Sequence, residues 1–198
     1  MKIKIAIAGL PKSNKTSLAQ ALSNMTGIPY IRNKTMHEWN RLYEFSYSKN
    51  DLLWKDVFLI AASSFFERAK VESYFDQFIS DGASFSELMC LKINFAKQFQ
   101  DEMQKHERNE IIENLEYVSA SHAAQQYDFI IHADASNDGG LANDFYEKLY
   151  LKYNIPYKIY STEFLEQALR DIASDLDLPT KVSIENSIYQ TNLNLFYK

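Results

Sequence analysis

The sequence predicts an α/β protein, a three-layer sandwich with a mostly parallel sheet of about five strands flanked by helices. Three observations carry this expectation. Short strand-like runs alternate with longer helical stretches, the signature of β-α-β units in a sheet covered on both faces. The first run passes directly into a polar loop opened by Gly9 and then into a helix. The 198 residues, 46% of them hydrophobic and 24% charged, are enough for one domain with a real core.

Ile3, Ile5 and Ile7 with Ala6 and Ala8 read as a buried strand ended by Gly9. Residues 15–25 read as a helix with Leu18, Ala19 and Leu22 on its apolar face and Gly27 after its end. Residues 28–31 form a second short strand, and 35–74 are helical, broken near 46–51. Residues 76–80 are a third strand, stopped by Asp81 and Gly82. Residues 84–104 are helical again; 101–114 are highly charged and read as a solvated helical face or an exposed connection. Residues 127–133 are a fourth strand. A helix over 141–153 carries Leu141, Phe145 and Leu149 at four-residue spacing. Residues 157–160 are a fifth strand, followed by a helix over 162–176 capped by Thr162. Pro179 marks a break, so residues 1–178 are expected to form the domain. Residues 179–198 then form a tail that packs on it or on a partner subunit, a second copy of the chain included.

Composition excludes several classes. Net charge is −5 and no basic tract stands out, which argues against a dedicated nucleic-acid binder. No segment offers ~18 uncharged apolar residues, so no membrane span is expected, and the N-terminal strand is too short for a signal peptide. The single cysteine, Cys90, forms no internal disulfide, which fits a reducing cytoplasm. The four histidines show no metal-ligand spacing.

The segment 9–16, Gly-Leu-Pro-Lys-Ser-Asn-Lys-Thr, follows a strand and opens a helix, as the phosphate loop G-x-x-x-x-G-K-[ST] requires. The expected nucleotide contacts are Gly9, Leu10, Pro11, Lys12, Ser13, Asn14, Lys15, Thr16 and Ser17. Backbone N–H groups cradle the phosphates, Lys15 neutralises the β/γ oxygens of ATP, and the Thr16 hydroxyl binds Mg²⁺. Asn14 replaces the second glycine; asparagine is the non-glycine residue best suited to a positive φ, and its side chain is expected near the γ-phosphate. Asp81 ends the third strand, where ligands of open α/β sheets bind, and is a candidate for holding Mg²⁺ or accepting a proton. Arg32, just beyond the second strand, is the candidate cation at the acceptor, with Trp39 or Tyr43 available for stacking.

These motifs resemble the small P-loop nucleoside and nucleotide kinases, closest to the nicotinamide riboside kinase-like branch, over most of residues 1–177. Arg68 and Glu72 match the family's polar residue and glutamate four positions apart, ahead of the strand that ends in Asp81. The family's arginine after that aspartate is Gly82 here, and Leu141 stands where a lid arginine would follow Asp138 and Gly139. The resemblance implies an ATP- and Mg²⁺-dependent small-molecule kinase with a weakened site. Replacements for the lost charges are Lys12, Arg32, Lys34, Arg68, Lys105 or Arg108. Two other readings stay open: a nucleotide-switched ATPase or GTPase, although no guanine-reading N-K-x-D element is present, and a degenerate kinase kept as an interaction protein.

Overall fold

Ile5 and Ile7 face one side of the first strand and Ala6 and Ala8 the other, and all four side chains are fully buried. A strand with two dry faces must lie inside a sheet, with helices on either side. The computed structural model describes residues 2–10, 12–34, 36–43, 54–95, 102–134 and 140–196. Its strands are β1 (Lys4–Ala8), β2 (Tyr30–Ile31), β3 (Phe78–Asp81), β4 (Phe129–Asp134) and β5 (Tyr157–Ser161). They form one five-stranded sheet in the order β2-β3-β1-β4-β5, and every pairing is parallel. The α/β three-layer sandwich expected from the sequence is the architecture observed.

One face carries α1 (Lys15–Thr26), α7 (Leu165–Asp175) and α8 (Ile184–Phe196). Leu18, Leu22 and Met25 of α1 pack with Ile5, Ile7, Leu169 and Ile172, and Ile184 and Ile188 of α8 close the cluster. Asn24 of α1 ties α8 down, its amide donating to Ser187 O at 3.4 Å and Thr191 Oγ1 at 3.1 Å. Gly27 ends α1 at φ 71°, a left-handed turn that costs glycine nothing, and its N–H bonds Ser23 O at 2.8 Å.

The other face carries α3 (Trp54–Glu72), α4 (Ser86–Phe95), α5 (Glu102–Gln126) and α6 (Gly140–Lys152), with the short α2 (Met36–Leu42) beyond β2. Phe78, Phe85, Tyr146 and Tyr150 fill this side. Among its described side chains the buried stripe of α6 includes Tyr146, Leu149 and Tyr150; Phe145, expected on the apolar face, is 42% exposed, one position and ~100° of helix from the buried Tyr146. Of the charged stretch 101–114, residues 102–114 belong to the start of α5. Among the described residues no helix is long and apolar enough to cross a membrane.

Candidate functional site

Because all strands run parallel, their carboxyl ends meet at one edge. Strand β1 pairs with β3 on one side and β4 on the other, so the chain reverses its direction of travel across the sheet beside β1. A crevice opens at such a switch point, and the loop after β1 stands in it.

The loop is held from below. Gly9 sits at φ 135°, and a Cβ there would lie 2.3 Å from Ala133 O, so no side chain fits. Lys12 and Asn14 are both left-handed, at φ 69° and 57°, a strain of about 1–3 kcal/mol each that the surroundings must hold. Part of that hold comes from Thr162, which lies ahead of α7 rather than capping it. Its hydroxyl stands 2.9 Å from Ser13 O and 3.0 Å from Asp134 O and is shared between them. Asn14 turns its amide to Thr162 O at 3.2 Å, so its side chain braces the loop against the end of β5. The first turn of α1 has no acidic residue, and its free N–H groups face the loop. Lys15 lies back along the loop with Nζ donating to Leu10 O at 2.5 Å. Ser13 Oγ is buried without a hydrogen-bond partner, and Ser17 is half-buried in the first turn. Pro11 lies outside the described residues.

Asn14→Gly is expected to leave unfolding free energy within about 1 kcal/mol of wild type, because glycine relieves the positive φ while the bond to Thr162 is lost. Urea denaturation measures it. Affinity for Mg·ATP should not fall; a clear loss would assign the Asn14 amide a ligand contact.

Across the β1–β3 seam, Thr16 Oγ1 donates to Asp81 Oδ2 at 2.8 Å, and Tyr30 OH donates to the same oxygen at 3.1 Å. Burial, and then the Asp81 charge, push the Tyr30 phenol well above its usual pKa, so it stays a donor. The Thr16 and Asp81 oxygens are hard ligands. Mg²⁺ characteristically takes one or two protein oxygens and completes its shell with waters and phosphates, a demand this pair fits. Among the described residues no group of three or more His, Cys, Asp or Glu side chains could hold a metal.

Arg68 and Glu72 lie behind β3, both buried. Arg68 Nη1 donates to Ser80 Oγ at 2.6 Å and Gly82 O at 2.7 Å, and Nη2 to Asp81 O at 3.2 Å. Ser80 Oγ donates to Glu72 Oε1 at 2.9 Å, which also accepts from Tyr127 OH at 3.0 Å. Arg68 is thus a brace for the end of β3. It also bears on Gly82: at φ 103° any side chain is strained, and a Cβ would stand 2.9 Å from Arg68 Nη2, so the guanidinium would have to shift to admit one.

The remaining cations divide by position. Arg32 pairs with Glu38 at 2.7 Å, and Lys34 pairs with Glu67. Lys12 is exposed on the loop. The side chains of Lys105, Arg108 and Leu141 lie outside what is described. Trp39 is buried, stacks on Tyr43 at 6.0 Å and sits under Lys34 Nζ, so it is a packing residue and not a free stacking platform. In β4, buried His132 is neutral: burial lowers its pKa, Nε2 donates to Asn143 Oδ1 at 3.0 Å, and Nδ1 accepts from Tyr150 OH at 2.8 Å. Sequence reasoning missed the roles of Thr162, read there as a helix cap, and of Tyr30, since their partners are 149 and 51 residues away.

No family model matches the chain, and no curated protein matches it. Solved structures do. A deoxyadenosine kinase from M. mycoides, with the products dCMP and a flexible dCDP bound, superposes with a TM-score of 0.62 at 18% identity, over 88% of this chain and 98% of that one. With bound dATP, a deoxyadenosine kinase from M. mycoides gives a TM-score of 0.63 at 15% identity, over 88% and 100% of the two chains. The chain has a P-loop-kinase-like fold. In that fold Gly9 and Leu10 follow β1, residues 12–14 lead into α1 at Lys15, and Asp81 stands at the end of the neighbouring strand.

Proposed function

We propose that the chain is an ATP-dependent phosphotransferase. It moves the γ-phosphate of ATP to a hydroxyl or phosphate of a small nucleoside- or nucleotide-like acceptor. The observation that carries this reading is the 2.8 Å hydrogen bond from Thr16 to Asp81 beneath a loop whose backbone opens on a helix N-terminus. The hydroxyl comes from the first turn of α1 and the carboxylate from the end of β3, two elements 65 residues apart that meet at the loop.

In this reading the backbone from Gly9 to Ser17 wraps the phosphates and Lys15 leaves Leu10 O for the β/γ oxygens. Thr16 and Asp81 hold Mg²⁺, which supplies charge neutralisation at the transferring group. Arg32 serves the acceptor side. Phosphoryl transfer is mostly positioning and electrostatics, so the loss of arginines at 82 and 141 predicts slow turnover without acceptor. The positive φ of Gly82, which disfavours any side chain where the related kinases carry an arginine, favours a second reading, a catalytically weakened nucleotide-binding ATPase or interaction protein. A nicotinamide riboside-like nucleoside belongs among the acceptors tried, and the chain is taken as a cytoplasmic protein.

The test is thermal stability with Mg·ATP, followed by ADP release across a nucleoside and nucleotide panel. Ligand at ~100 times its Kd should add about 2.7 kcal/mol of stability. One acceptor should raise turnover sharply, and Asp81→Asn should lower it again by ~10²-fold, the scale of losing one transition-state contact. No stabilisation by millimolar Mg·ATP sinks nucleotide binding; stabilisation with no responsive acceptor selects the second reading.

A further inference from the structure

Asp81 closes β3 with a carboxylate that is only 8% exposed. Among the described residues it joins no ion pair. Arg68, beside it, is occupied with the Ser80 hydroxyl and with the Asp81 and Gly82 carbonyls, and Lys15 Nζ donates to Leu10 O. A carboxylate buried without a counter-charge is costly unless donors or a metal meet it.

Two neutral hydroxyls meet it, and both go to the same oxygen. Thr16 Oγ1 reaches Oδ2 from α1 at 2.8 Å, and Tyr30 OH reaches it from β2 at 3.1 Å. Among the described residues Oδ1 accepts no hydrogen bond. Two donors from separate elements pin the carboxylate by one oxygen and keep the other open. The Thr16 bond suits a metal ligand by itself, because a hydroxyl that donates its proton to Asp81 keeps its lone pairs for a cation. The Tyr30 bond has no such reason. The phenol is half-buried and lines a cavity of about 270 Å³ with Gln20, Ser23, Asn24 and Asn194. One water needs ~10–15 Å³ by the same measure, so the cavity has room to solvate a hydroxyl. Gln20, one turn beyond Thr16 on α1, also directs its amide to the phenol. Satisfying the Tyr30 hydroxyl therefore does not require Asp81.

Resting on the assignment of Mg²⁺ to Thr16 and Asp81 in the phosphotransferase reading, we propose that Tyr30 is a positioning residue for the metal. It holds Asp81 Oδ2 and so leaves Oδ1 as the one oxygen that the carboxylate presents to Mg²⁺ or to a water of its shell. One oxygen from Asp81 and one from Thr16 match the one or two protein ligands that Mg²⁺ takes among its waters and phosphates. Without the phenol, Oδ2 keeps a single donor, the carboxylate is free to turn about its Cβ–Cγ bond, and Oδ1 loses its fixed place. Loss of an outer partner that orients a metal ligand lowers metal affinity by about 10- to 100-fold. Tyr30 contacts neither phosphate nor acceptor in this role, so its effect passes through Asp81 and appears only with the metal present.

The experiment is isothermal titration of the full chain with ATP, once in Mg²⁺ and once in EDTA. The proteins are wild type, Tyr30→Phe, Asp81→Ala and the double variant. The ratio of the two affinities isolates what the metal adds. Tyr30→Phe keeps the ring; it should lower that ratio about tenfold, leave the affinity in EDTA unchanged and retain the unfolding midpoint. Asp81→Ala should lower the ratio at least as far, and adding Tyr30→Phe to it should change nothing more, as for residues that act as one unit. An unchanged ratio in Tyr30→Phe overturns the proposal, as does a further fall of the ratio in the double variant. An equal loss of affinity with and without Mg²⁺, or loss of the cooperative melt, makes Tyr30 a packing residue and overturns it too. The two readings fail separately. Wild type that binds no ATP in either buffer ends the phosphotransferase reading and the role of Tyr30 with it. Wild type that binds ATP more tightly with Mg²⁺, beside a Tyr30→Phe protein that does so equally, ends the role of Tyr30 alone.

Discussion

Glu72→Ala is expected to destabilise the fold by about 3–5 kcal/mol, the cost of removing one member of a buried ion pair and stranding the other. Glu72 is fully buried and lies 3.8 Å from Arg68, and its Oε1 accepts the Ser80 and Tyr127 hydroxyls. His122 Nε2 stands 3.5 Å from its second oxygen. Without the carboxyl group, Arg68 keeps its charge in a dry site, and two hydroxyls lose their acceptor. Glu72→Gln retains an oxygen acceptor and should cost less, about 1–3 kcal/mol. Urea unfolding of the three proteins measures both differences. A Glu72→Ala cost below about 1 kcal/mol would mean that the cluster is not what fastens α3 to β3. The consequence reaches the site, because Arg68 holds the Asp81 and Gly82 carbonyls and so fixes the turn from which Asp81 meets Thr16. A variant that still folds should therefore also bind Mg·ATP more weakly.

What the sequence made legible was whatever rests on short-range pattern. The alternation of Ile5, Ala6, Ile7 and Ala8 marks a strand buried on both faces, and the observed core divides those residues between its two sides. Gly27 marks a helix end, and Asn14 takes the positive φ its residue type favours. The nearness of Asp81 to the loop followed from strand order, since β3 is the neighbour of β1. Tertiary contacts were the part not written locally. Thr162 reads as a helix cap by type, yet its hydroxyl has better partners in Ser13 and Asp134. Trp39 reads as a free aromatic beside a pocket, but Tyr43 and Lys34 cover it. Arg68 reads as a spare cation. Only the approach of α3 to the end of β3 makes it a brace, and the positive φ of Gly82 beside it is a backbone reason for the absence of a side chain at 82.

Lys15→Ala is expected to weaken Mg·ATP binding about 10- to 150-fold while the protein stays folded. The charge-assisted bonds of one lysine to phosphate oxygens are worth about 1.5–3 kcal/mol, a 10- to 150-fold loss of affinity. At ATP set to 100 times the wild-type Kd, stabilisation would drop from about 2.7 kcal/mol toward about 0.4 kcal/mol for a hundredfold weaker site. The fold should tolerate the change, because the Lys15 side chain is only partly buried and its bond to Leu10 O lies within the loop. One net hydrogen bond of that kind contributes about 1 kcal/mol. The measurement is a pair of thermal melts, each with and without Mg·ATP. Wild type that shifts beside a Lys15→Ala protein that melts normally and shifts far less assigns the phosphates to this loop. Equal shifts in both would place the nucleotide elsewhere, since no other part of the phosphate-loop argument survives the loss of its cation. A Lys15→Ala protein that has lost its cooperative melt would instead make Lys15 a structural clasp for the two left-handed residues beside it, Lys12 and Asn14. Lys15→Arg separates these outcomes. Arginine can still reach Leu10 O and restore the melt, but its planar fork is a poor substitute for the compact ammonium that a closed loop admits, so the Mg·ATP shift should not return with it.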